Sequence, residues 1–196
     1  MVAVAVLEAA AERRESSSLS LPTSFLHGSS SLPWGTKVYV MKQFYKDLKI
    51  GKQWESRFLP WMQKYFSKSY WTITDTTDIH RDEDGDQFPD YTLIHSVSNK
   101  VCFVDAKKRC VYTHKGHEVS FGFDKNFFNS YTNIAKKYNT KVYVAFIDPE
   151  YDPDNLYMLD MDQPPSFIHN YGNNGHGQPI CYRWYVNSLK KYKIED

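Results

Sequence analysis

The chain has 196 residues, 41% of them hydrophobic and 16% aromatic, enough to bury one good core in a single domain. Its formal charge of +1 points to no polyanion partner by global charge, so any basic surface must be local, and no apolar run approaches the roughly 20 residues that cross a bilayer. Cys102, Cys110 and Cys181 are odd in number and lack C-x-x-C spacing, which argues against a disulfide framework and a thiolate zinc site, and for a reducing, cytoplasmic setting.

Residues 1–37 differ from the rest, running from "AVAVLEAAAERRE" into "SSSLSLPTSFLHGSSSLP" with no amphipathic stripe continuing past Ser16. They read as a flexible extension, native or introduced by cloning. Arg13, Arg14 and the serines suit a transit peptide, but Glu8, Glu12 and Glu15 count against one. Removing Met1 to Leu32 is therefore expected to leave folding and activity intact. Loss of soluble protein in the truncated form would contradict this.

Residues 38–196 are expected to form one domain. In "GKQWESRFLPWMQKYF", Trp54, Phe58, Trp61 and Tyr65 make an apolar helical stripe that Pro60 should kink or split. "YWTIT" reads as a strand and the acidic "DTTDIHRDEDGDQ" as a loop. Alignment of its Gly85 to the invariant glycine of a calcium loop puts His80 and Tyr91 where Asp and Glu belong, so that reading fails.

Next comes "QFPDYTLIHSVSNKVCFVDAKKR", Gln87 to Arg109. Two apolar-rich runs flank Ser96-Val97-Ser98-Asn99, a pattern that predicts a hairpin with a loop of about four residues. If His95 faces Lys100, then Asp90 faces Asp105. Directly opposed like charges lie roughly 5 Å apart and repel, so a cation is expected between them. Residues two apart in a strand point the same way, so Asp105 and Lys107 share a face and Ala106 turns its side chain away. Two carboxylates with a backbone carbonyl beside them are hard oxygen ligands of the kind Mg²⁺ accepts.

Farther along, "FDKNFFNSYTNIAKKYN" carries Asp124 as an N-cap, Phe127, Tyr131, Ile134 and Tyr138 on one face, and Lys136 and Lys137 in the last turn. "KVYVAFID" reads as a buried strand, and "NLYMLDM" as a further one. The order α-β-β-β-α-β implies an α/β sandwich with a mixed sheet.

Pro89-Asp90 and Asp105-Ala106-Lys107, on a hairpin within this order, resemble the PD-(D/E)XK nuclease superfamily, over roughly residues 51 to 161. The resemblance implies a restriction-endonuclease-like three-layer sandwich with a mixed central sheet flanked by helices. It also implies a Mg²⁺-dependent endonuclease, with Mn²⁺ as substitute, that hydrolyses DNA to a 5′-phosphate and a 3′-hydroxyl in restriction, phage or homing systems. Asp90, Asp105 and the Ala106 carbonyl would hold the metal, and Lys107 would orient water and offset phosphate charge. Family members often add an acid from the first helix; Glu55 is the matching candidate, in line with Leu59, Met62 and Phe66, though a solvated glutamate in a first helical turn reads equally well.

Lys108, Arg109, Lys115 and Lys125 are candidate DNA contacts near the site, with Arg183, Lys190, Lys191 and Lys193 in the tail. "HKGH", with His114 and His117, lacks the further ligands of a zinc site and reads as a polar loop. "HNYGNNGHG" reads as a glycine-rich loop, and "CYRWYVNSLKKYK" either stacks on bases or closes the core. The alternatives are a DNA-junction resolvase or repair nuclease, a same-fold binding protein with weak or lost cleavage, and an interaction domain with a chance motif. Cutting both strands of a duplex with one site per chain suggests a homodimer or higher assembly.

Overall fold

The computed structural model describes residues 54, 57–66, 69–109, 111–113, 118–170 and 180–194. The chain divides into two units between Gln53 and Trp54, and all of these residues belong to the second. The expected extension over residues 1–37 lies outside the described residues.

The first described helix, α1, covers residues 57–66 and continues through Pro60, so the expected split does not occur there. Phe58, Trp61 and Met62 are buried, Leu59 and Phe66 partly so, while Tyr65 stays at the rim and stacks on Trp61 with ring centroids 5.2 Å apart. The described strands that follow are interrupted by one long helix. They are β1 (Trp71–Asp75), β2 (Tyr91–His95), β3 (Val101–Lys108), β4 (Tyr112–Thr113) and β5 (Val119–Asp124), then α2 (Lys125–Lys137), β6 (Lys141–Ile147), β7 (Asn155–Asp160), β8 (Phe167–Asn170), β9 (Ile180–Tyr185) and β10 (Lys190–Lys193).

Six strands form a mixed sheet in the order β1-β2-β3-β6-β7-β10, in which β3 and β6 pair in parallel and the other neighbours antiparallel. That parallel step requires a crossover, which the chain makes through β4, β5 and α2. α2 begins where expected: Asp124 accepts a hydrogen bond from the Phe127 amide at 3.3 Å, and Lys136 and Lys137 occupy its last turn. Lys137 also pairs with Asp82, Glu83 and Asp84 at 2.9, 3.0 and 2.5 Å, which ties the acidic loop to the helix end.

Strand alternation sorts the central residues. Cys102, Val104, Ala106, Ala145 and Ile147 pack against Phe58, Trp61 and Met62 of α1. The opposite face presents Phe103 to Tyr138 just past α2, ring centroids 5.7 Å apart, and Phe146 to Phe121 of β5 at 5.0 Å. Cys102 and Cys181 are buried and unpaired by disulfide, and burial pushes the Cys102 thiol up to about 12.

A second, antiparallel sheet in the order β4-β5-β9-β8 was not anticipated from the sequence. Its inner face supplies Phe121, Phe123 and Trp184 to the core, so the aromatic "CYRWY" segment closes the core through Trp184. Gly122 faces Arg183 across β5 and β9. A Cβ there would lie 2.5 Å from the Tyr182 carbonyl oxygen and 2.7 Å from Arg183 Cγ. Backbone cannot yield as a side-chain tip can, so Gly122→Ala is expected to cost about 1–3 kcal/mol by overpacking, read from urea unfolding; an unchanged midpoint would contradict this packing.

Candidate active site

The hairpin forms in the expected register. Tyr91 faces Val104, Thr92 faces Phe103, Leu93 faces Cys102 and Ile94 faces Val101, and the His95 amide donates to the Lys100 carbonyl at 2.8 Å across the loop 96–99. Asn99 adopts a positive φ of 52°, a conformation asparagine tolerates. Continuing this register by one residue sets Asp90 opposite Asp105.

Hydrogen-bonded and non-hydrogen-bonded pairs alternate along an antiparallel ladder. The His95–Lys100 bond fixes the parity, so Tyr91–Val104 and then Pro89–Ala106 fall at hydrogen-bonded positions. Asp90–Asp105 falls at a non-hydrogen-bonded one, where side chains approach more closely. Proline has no amide hydrogen, so Pro89 cannot donate to the Ala106 carbonyl. The Pro89 carbonyl instead accepts from Thr76 Oγ1 at 2.9 Å, and the Asp90 carbonyl from the Thr76 amide at 2.7 Å. The ladder thus opens at the motif, with a main-chain acceptor beside two acids.

Each acid is held differently. Asp90 Oδ2 accepts the Ala106 amide at 2.9 Å. Asp105 is 1% exposed, and its Oδ2 lies 2.8 Å from Lys107 Nζ. This is an ion-pair contact, since among the described residues that oxygen receives no hydrogen bond of good geometry. Lys107 pairs with Asp105, while the Ala106 amide donates to Asp90, its ladder acceptor, the Pro89 carbonyl, being taken by Thr76 Oγ1.

α2 completes the surroundings. Lys107 Nζ lies 4.6 Å from the Phe127 ring centroid and 5.9 Å from that of Tyr131. Burial, followed by the charge of Asp105, holds the Tyr131 hydroxyl well above the usual tyrosine range. In the sequence Tyr131 registers only as a core position; the signal available is a hydroxyl on a stripe otherwise suited to phenylalanine.

Of the remaining candidates, Glu55, Lys115, His114 and His117 lie outside the described residues, as do residues 171–179 of the glycine-rich loop. Lys108 is half-buried at the end of β3, and Lys125 is exposed at the start of α2. Arg109 is half-buried; its Nε is enclosed without a hydrogen bond among the described residues. Arg183 is 9% exposed, its guanidinium 4.7 Å from the Tyr112 ring centroid and 3.4 Å from Ser120 Oγ. It lies across Gly122, on the face of the second sheet opposite Trp184. In the tail, Lys191 pairs with Asp152 at 2.8 Å, while Lys190 and Lys193 are exposed.

Among the described residues, no three His, Cys, Asp or Glu side chains cluster as a metal site. The donor set here is two carboxylates and a carbonyl, hard oxygens that fit Mg²⁺ with waters completing its shell. The buried Asp105 Oδ2, lacking a hydrogen-bond donor, is an acceptor such an ion would satisfy.

No protein-family model matches the chain, and no curated protein matches it. Among solved structures it is similar to Hjc, a Holliday junction resolvase from the archaeal hyperthermophile Archaeoglobus fulgidus, with a TM-score of 0.39 and 12% identity over 55% of this chain and 77% of that one. No helix among the described residues is long and apolar enough to cross a membrane.

Proposed function

We propose that this chain is a metal-dependent endonuclease that hydrolyses DNA phosphodiester bonds, of the PD-(D/E)XK kind. One observation carries the reading: the paired acids sit where Pro89 ends the hairpin ladder, with Lys107 bound to the buried one. On an ordinary exposed hairpin an Asp-Lys pair has no need of burial, of a second opposed acid, or of a missing rung. The strand and helix order supports the same reading, with β4 and β5 inserted before α2.

Asp90, Asp105 and the Ala106 carbonyl would hold Mg²⁺, with Glu55 as a further candidate ligand. When bound, the ion would supply Lewis-acid polarisation of the phosphate and a water of lowered pKa. Lys107, an ammonium with three donors, orients the attacking water and meets the charge that builds on the phosphate oxygens. Asp90 and Asp105, fixed by the Ala106 amide and by Lys107, need no rearrangement during the reaction. Water adds to phosphorus as the bond to the 3′ oxygen breaks and that oxygen takes a proton, leaving a 5′-phosphate and a 3′-hydroxyl. Lys108, Arg109, Lys125 and Lys115 would contact flanking phosphates, a salt-sensitive interaction that carries no sequence information. Double-strand cutting would take two copies of the chain.

The test is cleavage of plasmid, linear, branched and single-stranded DNA with different metals. Mg²⁺ or Mn²⁺ is expected to support cutting and Ca²⁺ binding only, since calcium accepts looser geometry and activates water poorly. A marked preference for the branched substrate would identify a junction or repair nuclease. Equal rates in chelator would refute metal dependence, and binding without cutting under every metal would leave a DNA-binding protein.

A further inference from the structure

We infer that Thr76, which lies outside the hairpin, is a positioning residue of this site: its hydroxyl holds the Pro89 carbonyl out of the β2–β3 ladder and so leaves the Ala106 amide to the Asp90 carboxylate. The inference rests on the nuclease reading above and adds to it the strand end that sets Asp90.

Thr76 follows β1, and the β1–β2 register, with Asp75 facing Tyr91, continues by one residue to set it opposite Asp90. Facing residues of an antiparallel pair share a sheet face, so Thr76, Asp90 and Asp105 form one row across three strands. Thr76 is 4% exposed, and a hydroxyl taken that far from water needs a partner. Its Oγ1 donates to the Pro89 carbonyl at 2.9 Å, and its amide donates to the Asp90 carbonyl at 2.7 Å. One residue therefore holds two successive carbonyls of the motif. Thr76 is itself anchored, because its own carbonyl accepts the Ile79 amide at 2.8 Å and the next residue, Thr77, donates its amide to Asp75 Oδ1 at 2.9 Å.

The parity of the hairpin assigns the Pro89 carbonyl to the Ala106 amide. Each has a different partner: the carbonyl bonds Thr76 Oγ1, and the amide bonds Asp90 Oδ2 at 2.9 Å. One ladder rung is thus exchanged for two bonds, and the second of them orients an acid proposed as a metal ligand. Valine has the same branched shape as threonine and suits a strand end equally well, so packing alone does not account for the hydroxyl.

Groups that orient a metal ligand typically contribute about 10–100-fold to metal affinity or activity. Thr76→Val is expected to return the Pro89 carbonyl to the Ala106 amide, visible in a crystal structure of the variant. It should also weaken Mn²⁺ binding about tenfold or more, measured by titration calorimetry on the full chain without DNA. Thr76→Ser, which keeps the hydroxyl, should bind Mn²⁺ as the wild type does. A merely structural hydroxyl would lower the melting temperature of Thr76→Val with no change in Mn²⁺ affinity per folded molecule, and that result overturns the inference. A serine variant that binds Mn²⁺ about tenfold more weakly than the wild type overturns it too, as does a valine variant whose Ala106 amide still bonds Asp90. Wild-type protein that neither binds Mn²⁺ nor cuts DNA overturns the nuclease reading instead; the crystal structure of Thr76→Val then decides by itself whether the hydroxyl sets the Asp90 bond.

Discussion

Asp90→Asn is expected to melt slightly higher than the wild type without metal, yet to lose DNA cleavage by roughly a hundredfold or more. The substitution removes one of two charges that face each other at a close, non-hydrogen-bonded ladder position, where repulsion is worth a few tenths to about 1 kcal/mol. The asparagine carbonyl can still accept the Ala106 amide, so the 2.9 Å contact survives in kind. For a domain of this size, such a gain corresponds to a rise of about 1–3 °C. Catalysis nevertheless loses a charged ligand. Lys107→Ala should be equally inactive but move stability the other way, because it strips the partner from a carboxylate that is 1% exposed. Breaking a fully buried pair costs roughly 3–5 kcal/mol; the Lys107 side chain keeps 18% of its exposure, which places the loss at about 2–3 kcal/mol. Thermal melting in chelator reads both variants. Asp90→Asn melting below the wild type, or Lys107→Ala matching it, would break the assignment of charges at the site.

Trp184→Ala is expected to be more destabilising than any of these substitutions, by about 3–5 kcal/mol. The indole is fully buried, stacked on Phe123 at 5.2 Å and beside Phe128 at 6.1 Å, and its Nε1–H donates to the Gln163 carbonyl at 3.1 Å. Alanine would leave a cavity and an unsatisfied carbonyl in place of a joint between the second sheet and the core. Against a total stability of about 5–15 kcal/mol, this is a large fraction. The urea midpoint should fall sharply, while molecules that remain folded should still cut, since Trp184 belongs to the core and not to the candidate site. A near-wild-type midpoint would mean that the second sheet contributes little to the fold.

The hairpin was fully legible in the sequence. Alternation and a polar four-residue link set its register, and register alone brought Asp90 to Asp105. The cap at Asp124 and the buried strand Lys141–Ile147 were legible for similar local reasons. The second sheet was not. β4 has only two residues and no period to read, and β5 alternates Phe121 and Phe123 with Ser120 and Gly122, whose small side chains give a weak signal on their own. Gly122 is explained by the Tyr182 carbonyl and the Arg183 side chain lying across it, contacts between strands far apart in the chain. The split between the acids was hidden for another reason. It depends on parity together with the Thr76 hydroxyl, which takes the Pro89 carbonyl and leaves the Ala106 amide to Asp90, a contact from outside the hairpin.

The proposal that Asp90, Asp105 and Lys107 form one metal-dependent site is tested most directly by nicking of supercoiled DNA in Mg²⁺. The wild type, Asp90→Asn, Asp105→Asn and Lys107→Ala would be compared, each confirmed folded at the assay temperature. The wild type should nick the plasmid and each variant should be slower by about a hundredfold or more; any one of the three cutting at the wild-type rate would contradict the site.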